Sequence, residues 1–521
     1  MVDLVTGYNV PGVYVRDATG PLITAPAVPD AVVTLVGPAV GFQVYTDAVT
    51  ISATDQALTK HGIYRVANTS LGVYIPKVTT NTGVVLVEGV DYILTDVLDP
   101  LNGVANKTTN IKIGTLTTAA DGTTTSTPLV STTNGVKVGD RLIVTYCYTD
   151  ASYYTPLLFE NYDLLVATYG QPLKTVLSNT PGENVVNSPL SLAAAVALQN
   201  GATRVICVAT DPGDGTFAAQ LRSAYAKTSG DYRVSIIVPV LADGGNGDPA
   251  AFVSYGLDLA THVENSSADG LLRIGILGPP VNYGATLGTQ VPPPVDNAAK
   301  SIAAARVLVA YPNRLAYYNP AVNRSVEVDG YYLAAAYAGI LEGNPVNQAL
   351  TRQQVLGFSG LPSTITRLCT KTFKDKLSGS GVAVAEIDRQ NRLVVRHGVS
   401  TDMSNVITRE VSITRARDFL FESLQIGLDS SGLIGSPIDD EMTTRVKGAV
   451  AGILETLTQA EAIISYANLQ VRQQTLASGG DPSTIEVRFA YRPAIPLNYI
   501  VVTFTLNLDT GDVALSGSAL P

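Results

Sequence analysis

Two alternating runs near the end of the chain constrain the fold more than any other feature. In Ile485-Glu486-Val487-Arg488-Phe489-Ala490-Tyr491, the residues Ile485, Val487, Phe489 and Tyr491 fall on one face. In residues 500–508, Val502, Phe504, Leu506 and Leu508 do the same. Period-two alternation builds a half-buried strand, and a strand's backbone must pair with another. The second run follows a Pro-x-x-Pro break at Pro493 and Pro496, so it hangs beyond the last folded module. Its partner is either its own sheet or that of a neighbouring molecule. Upstream, residues 382–388 and 392–397 flank the polar turn Arg389-Gln390-Asn391 and predict a hairpin. The expected docking sheet combines that hairpin with residues 485–492, with Val384, Val394, Val487 and Phe489 in it.

The chain has 521 residues, too many for one core, so several domains are expected. Hydrophobic residues make up 46% and charged residues 15%, a globular balance. The net charge is -10 and no run of Lys or Arg stands out, which disfavours nucleic-acid and anionic-membrane binding. No stretch approaches ~20 consecutive apolar residues, so no membrane span is expected. The start, Met1-Val2-Asp3-Leu4, lacks the basic and apolar regions of a signal peptide. Cys147, Cys207 and Cys369 lie far apart in apolar runs and read as buried thiols made inside a cell.

Five segments follow from the patterning. Residues 1–29 form an arm: Val13, Tyr14 and Val15 make a short strand after Pro11, and prolines then punctuate the chain. Residues 30–41 with 155–375 form a layered α/β core with a mostly parallel sheet. Asn161, Ser188-Pro189 and Asp248-Pro249 mark helix starts, and the apolar strands between them show little alternation. Residues 42–154 form an inserted β-sandwich or barrel-like domain, rich in Thr, Asn and Gly, with short strands separated by turns. Residues 376–496 form an α+β module with a strand at 406–413, a helix at 415–427 and a second helix at 439–458. That second helix carries Val446, Val450, Ile453, Leu454 and Leu457 on one stripe. Residues 497–521 form a terminal arm strand.

Reactive chemistry finds little support. Gly213-Asp214-Gly215-Thr216-Phe217-Ala218 follows a strand and opens a helix, a loose fit to a dinucleotide-binding turn. Asp211 and Asp214 place negative charge where a pyrophosphate belongs, and Asp243 comes too late for the ribose. Asp211, Asp214 and Asp243 as a divalent-metal site read better as solvated loop carboxylates. Only His61, His262 and His397 exist; none has zinc spacing with cysteine, and no G-x-S-x-G is present. No catalytic, cofactor-binding or metal-binding residue is assigned.

Several motifs, taken in order, resemble the contractile phage tail sheath family, which includes sheaths of related injection machines. They are Pro11-Gly12-Val13-Tyr14-Val15, residues 32–37, Gly330-Tyr331-Tyr332-Leu333-Ala334-Ala335-Ala336-Tyr337-Ala338-Gly339, residues 347–361 and Arg415-Ala416-Arg417-Asp418-Phe419-Leu420. The resemblance implies a subtilisin-like core without its catalytic triad, and an inserted domain on the outer surface. It implies a structural subunit that stacks in rings around a tail tube protein and meets baseplate and tail terminator proteins. Such a virion protein is assembled in the host cytoplasm and contracts to drive the tube through the host envelope. The family's arms add as strands to neighbours' modules; here Val13, Tyr14, Val15, Val502, Phe504, Leu506 and Leu508 would exchange. Two rival readings stay open: a nucleotide-binding α/β enzyme using the turn at 213–218, and another self-assembling virion or surface-layer protein.

Overall fold

The computed structural model describes residues 32–39, 43–50, 56–57, 72–73, 77–87, 91–95, 110–118, 124–128, 139–148, 154–170, 172, 185–186, 188–211, 214–242, 247–284, 295–319, 323–478, 480–498, 505–506 and 513–514. Its centre is an eight-stranded sheet. Val205–Ala209, Val32–Gly37, Val234–Pro239, Ile274–Leu277, Val307–Tyr311 and Val382–Ile387 lie side by side in that order, all parallel. Leu157–Phe159 closes one edge antiparallel and Leu393–Val395 the other. The parallel strands are β-branched and apolar along their whole length, and nearly every position is buried. That pattern requires cover on both faces.

Helices supply the cover. Pro189–Gln199 and Gly330–Gly343 pack together on one face, and Phe217–Thr228, Pro249–Ala268 and Asp296–Ile302 line the other. Right-handed crossovers place Pro189–Gln199 opposite the three helices, because the first strand connects toward one edge and the next strands step toward the other; Gly330–Gly343, in the connection from Val307–Tyr311 to Val382–Ile387, lies instead with Pro189–Gln199. The helix Gly330–Gly343 is buried from Gly330 to Leu341, as a helix apolar all round must be. It meets its neighbour at Gly339, where a Cβ would stand 2.2 Å from the Ala197 carbonyl oxygen. Glu342 then accepts from Val33 N at 2.9 Å and ties the helix end to the first strand. The predicted caps hold: Asn161, Ser188 and Asp248 each accept a backbone N–H of their own helix.

Between Val32–Gly37 and Leu157–Phe159 the described strands pair almost wholly among themselves. Gln43–Thr50 and Lys77–Thr80 flank Arg141–Tyr148. Asn110–Thr118 pairs with Gln56–Ala57, Tyr92–Thr95 and Thr124–Pro128. Gly72–Val73 instead pairs with Val185–Val186, outside this stretch. Residues 84–86 turn back onto Lys77–Thr80 at an antiparallel bridge from Thr79 to Val85, with Thr80 N donating to Val84 O and Leu86 N to Val78 O, both at 2.9 Å.

A second core lies between helices Val411–Asp429 and Met442–Gln459 and the hairpin Ile463–Gln473/Ile485–Pro493. Leu420, Phe421, Leu424, Val450, Leu454 and Leu457 fill it, with Val446 and Ile453 packed against them, so the predicted stripe faces inward. Two expectations need correction. The hairpin at 382–397 belongs to the main sheet and not to this module. Val382 to Glu386 are buried in unbroken succession, the signature of a strand covered on both faces. The stretch 406–413 is helical and not a strand: Asn405 accepts from Ile407 N at 2.8 Å and Thr408 N at 3.0 Å, capping Val406–Arg409. That cap outweighs the strand propensity of Val406, Ile407 and Thr408.

Candidate assembly site

The hairpin Ile463–Gln473/Ile485–Pro493 forms a two-stranded sheet of its own. Its register sets Val471 opposite Val487 and Tyr466 opposite Tyr491, with an irregularity between Ala467 and Gln470 where Asn468 takes φ 58°. Val487, Phe489 and Tyr491 rest on the second core beside Tyr466 and Leu469. The alternate residues Arg488, Ala490 and Arg492 face solvent. On that face Glu486 accepts from Arg472 Nε at 2.7 Å and Arg488 Nε at 2.6 Å. Partial burial pushes its carboxyl up, but these hydrogen bonds and charges prevail and hold it below the usual range.

Among the described residues, no strand pairs with either outer edge of this hairpin. A lone two-stranded sheet is marginal in water, and each bare edge offers a row of unpaired N–H and C=O groups. The main sheet offers no such row beside Leu393–Val395. There residues 352–355 lie along the strand, with Arg352 N donating to Val395 O at 2.7 Å, Val395 N to Gln353 O at 2.9 Å and Val355 N to Leu393 O at 2.8 Å.

The four expected docking residues therefore separate. Val487 and Phe489 lie in the hairpin, whereas Val384 and Val394 lie in the main sheet, each 1% exposed. The topology takes one pair inward, into the eight-stranded sheet, and leaves the other in the outer hairpin. In the C-terminal arm, Leu506 belongs to a two-residue strand, Thr505–Leu506, that pairs with Val513–Ala514. Val13, Tyr14, Val15, Val502, Phe504 and Leu508 lie outside the described residues.

Two contacts that sequence reasoning missed frame the module. Arg306 Nη1 and Nη2 donate to Asp418 at 2.6 and 2.8 Å, joining the base of the strand Val307–Tyr311 to the helix Val411–Asp429. Its one visible signal was Asp418 in the helix-opening motif. Glu410, buried where the helices Val406–Arg409 and Val411–Asp429 meet, accepts from His397 Nε2 and Asn498 Nδ2, both at 3.0 Å. No local pattern marks a contact between residues that far apart.

Among the described residues, the rival chemistry is not assembled. Thr216 accepts from Ala219 N and simply caps Phe217–Thr228. The first strand stays paired to its end with both neighbours: Thr210 N donates to Gly37 O at 3.0 Å and Val240 N to Val36 O at 2.8 Å, and a Cβ on Gly37 would stand 2.6 Å from that of Val240. Asp243 lies outside the described residues. His262 stacks on Tyr225 and sits 3.0 Å from Arg273 Nη1; burial and that cation depress its pKa to about 4. Burial pushes the Cys207 thiol up, away from reactivity. Among the described residues no cluster of metal-ligating side chains forms, and no helix is long and apolar enough to cross a membrane.

No family model matches the chain. It is 33% identical to a tail sheath protein of Mycobacterium phage Bxz1 over 465 residues, 89% of this chain and 72% of that protein. It is 29% identical to a putative tail sheath protein of Enterococcus phage phiEF24C over 184 residues, 34% of this chain and 30% of that one. In fold it is similar to the anti-feeding prophage helical sheath in its contracted state, with TM-score 0.51 and 13% identity, covering 96% of this chain and 100% of that chain.

Proposed function

This chain belongs to the tail sheath protein family, and from that premise we propose that it polymerises by strand exchange into a contractile helical tube. It is a structural component of the virion and not an enzyme. Subunits stack around a tail tube protein and end against baseplate and tail terminator proteins, with no nucleic acid or membrane partner. The arms of neighbouring copies add as strands to the hairpin Ile463–Gln473/Ile485–Pro493, and contraction drives the tube through the host envelope.

The edges of that hairpin, with which no strand pairs among the described residues, carry this reading. An added strand making six backbone hydrogen bonds, each worth ~0.5–1.5 kcal/mol net, contributes about 3–9 kcal/mol before side-chain burial. One such link is modest, but repeated links to the same neighbours reinforce one another. A head-to-tail contact that does not close on itself propagates as a helix. Residues 494–498 act as a connector that lets rigid bodies turn while the strands stay paired.

The test is electron microscopy of the purified full chain beside a variant lacking residues 497–521. Long tubes are expected from the first and none from the second. Tubes of ordinary length from the truncated chain refute C-terminal strand exchange.

A further inference from the structure

Residues 494–498 lead from the hairpin toward the C-terminal arm, and their described contacts are few. Ile495 is 59% exposed and Leu497 77% exposed, so apolar packing does not hold this strap. Asn498 does: its Nδ2 donates to Glu410 Oε1 at 3.0 Å. Among the described residues, no other hydrogen bond fixes residues 494–497.

The seat is firm on one side and replaceable on the other. Glu410 is 1% exposed and also accepts from His397 Nε2 at 3.0 Å and Arg409 Nε at 3.4 Å. Its N–H donates to Val406 O and its residue bridges Val399. The carboxylate therefore stays in place, and stays charge-compensated, whether or not Asn498 is present. Asn498 Oδ1 is buried without a partner, and that unmet acceptor offsets part of what Nδ2 gains. A hydrogen bond to a charged group is worth a factor of roughly 10–100 in an equilibrium constant, and the orphan acceptor trims it toward the lower figure.

We infer that Glu410 is the positioning residue for the C-terminal arm: its carboxylate holds Asn498 and so sets the direction in which the arm leaves toward a neighbouring copy. This rests on the strand-exchange reading. A free arm samples many directions, and each must be given up on docking; anchoring its root beside the main body removes that loss beforehand. The bond is weak enough to break when the subunit turns relative to its neighbour, and breaking it leaves no buried charge unpaired.

The test compares full-length chains for the concentration at which tubes sediment. Asn498→Asp sets a carboxylate against Glu410 and is expected to raise that concentration about tenfold or more. Asn498→Ala is expected to raise it severalfold. Both should melt, unassembled, at the wild-type temperature, because Glu410 keeps His397 and Arg409. Hydrogen exchange of residues 494–506 in the unassembled Asn498→Asp chain should quicken, a readout that a purely structural role elsewhere would not move. Assembly of Asn498→Asp at the wild-type concentration overturns the inference, and leaves strand exchange standing if the chain lacking 497–521 still fails to form tubes. Should that truncated chain assemble normally, both readings fall together.

Discussion

Asp418→Asn tests how the C-terminal module is fastened to the core. Asp418 takes two hydrogen bonds from Arg306, and the two side chains are 13% and 11% exposed. Arg306 Nη1 also donates to Arg273 O at 3.0 Å, which fixes the guanidinium against the sheet. Unit charges ~3 Å apart at an effective dielectric of ~20 attract by roughly 5–6 kcal/mol, and desolvation cancels much of that. Removing one partner leaves the other charge stranded, which costs ~3–5 kcal/mol when burial is complete. With each side chain still about a tenth exposed, Asp418→Asn should cost about 2–4 kcal/mol. Arg306→Met with Asp418→Leu removes both charges and should fall within ~1 kcal/mol of wild type. The chain has no Trp, so Phe489→Trp in every variant gives a fluorescent reporter inside the second core. Urea unfolding of the unassembled chain then reads the transition of that module. A cost below ~0.5 kcal/mol for Asp418→Asn would class the pair with surface ion pairs and refute the argument. So would an additive double variant, since coupling between touching residues is the core of the claim.

Two further outcomes follow from the same region and from the central helix. Burial, helped by the Asp418 charge, raises the Glu422 pKa from its usual 4.5 to about 8. A raised acid stabilises the fold at low pH and loses that contribution as pH climbs through the folded value, so module stability should fall between about pH 4.5 and 8. Glu422→Gln should flatten that slope in urea midpoints measured across the range. Gly339→Ala places a methyl 2.2 Å from the Ala197 carbonyl oxygen, where both backbones are helical and neither yields. It should lower stability by about 1–3 kcal/mol, read as a drop in melting temperature.

Much of the core was legible because its signals are local. Ser188 before Pro189 and Asp248 before Pro249 announce helix starts that need no tertiary information, and both are observed. Unbroken apolar runs such as Val205–Ala209 announce strands covered on both faces. The same rule applied to Val382–Ile387 would have placed it in the main sheet; its nearness in sequence to the later helices misled. At Val406–Arg409 the β-branched Val406, Ile407 and Thr408 favour a strand, whereas Asn405 caps the helix that the backbone adopts. Arg306–Asp418 and Glu410–Asn498 join residues 112 and 88 positions apart. No periodicity encodes such pairs, and so half of the expected docking sheet, with both fastenings of the module, needed three dimensions.

The placement of the two strands that bracket residues 42–154 has a consequence for grafting. Leu35 lies level with Cys207, and Cys207 level with Leu157, across neighbouring strands. The chain therefore leaves the sheet after Gly37 and re-enters at Leu157 about 10 Å away, two strand spacings, on the same side of the molecule. A segment with ends so close is a closed excursion. Exchanging it for a cargo domain or a short linker asks nothing of the sheet register, and doubling its length adds only ~0.6 kcal/mol of closure entropy. The excursion is thus a mounting point, where a foreign domain leaves the register of the eight-stranded sheet unchanged and gives up, among the described residues, the pairing of Gly72–Val73 with Val185–Val186.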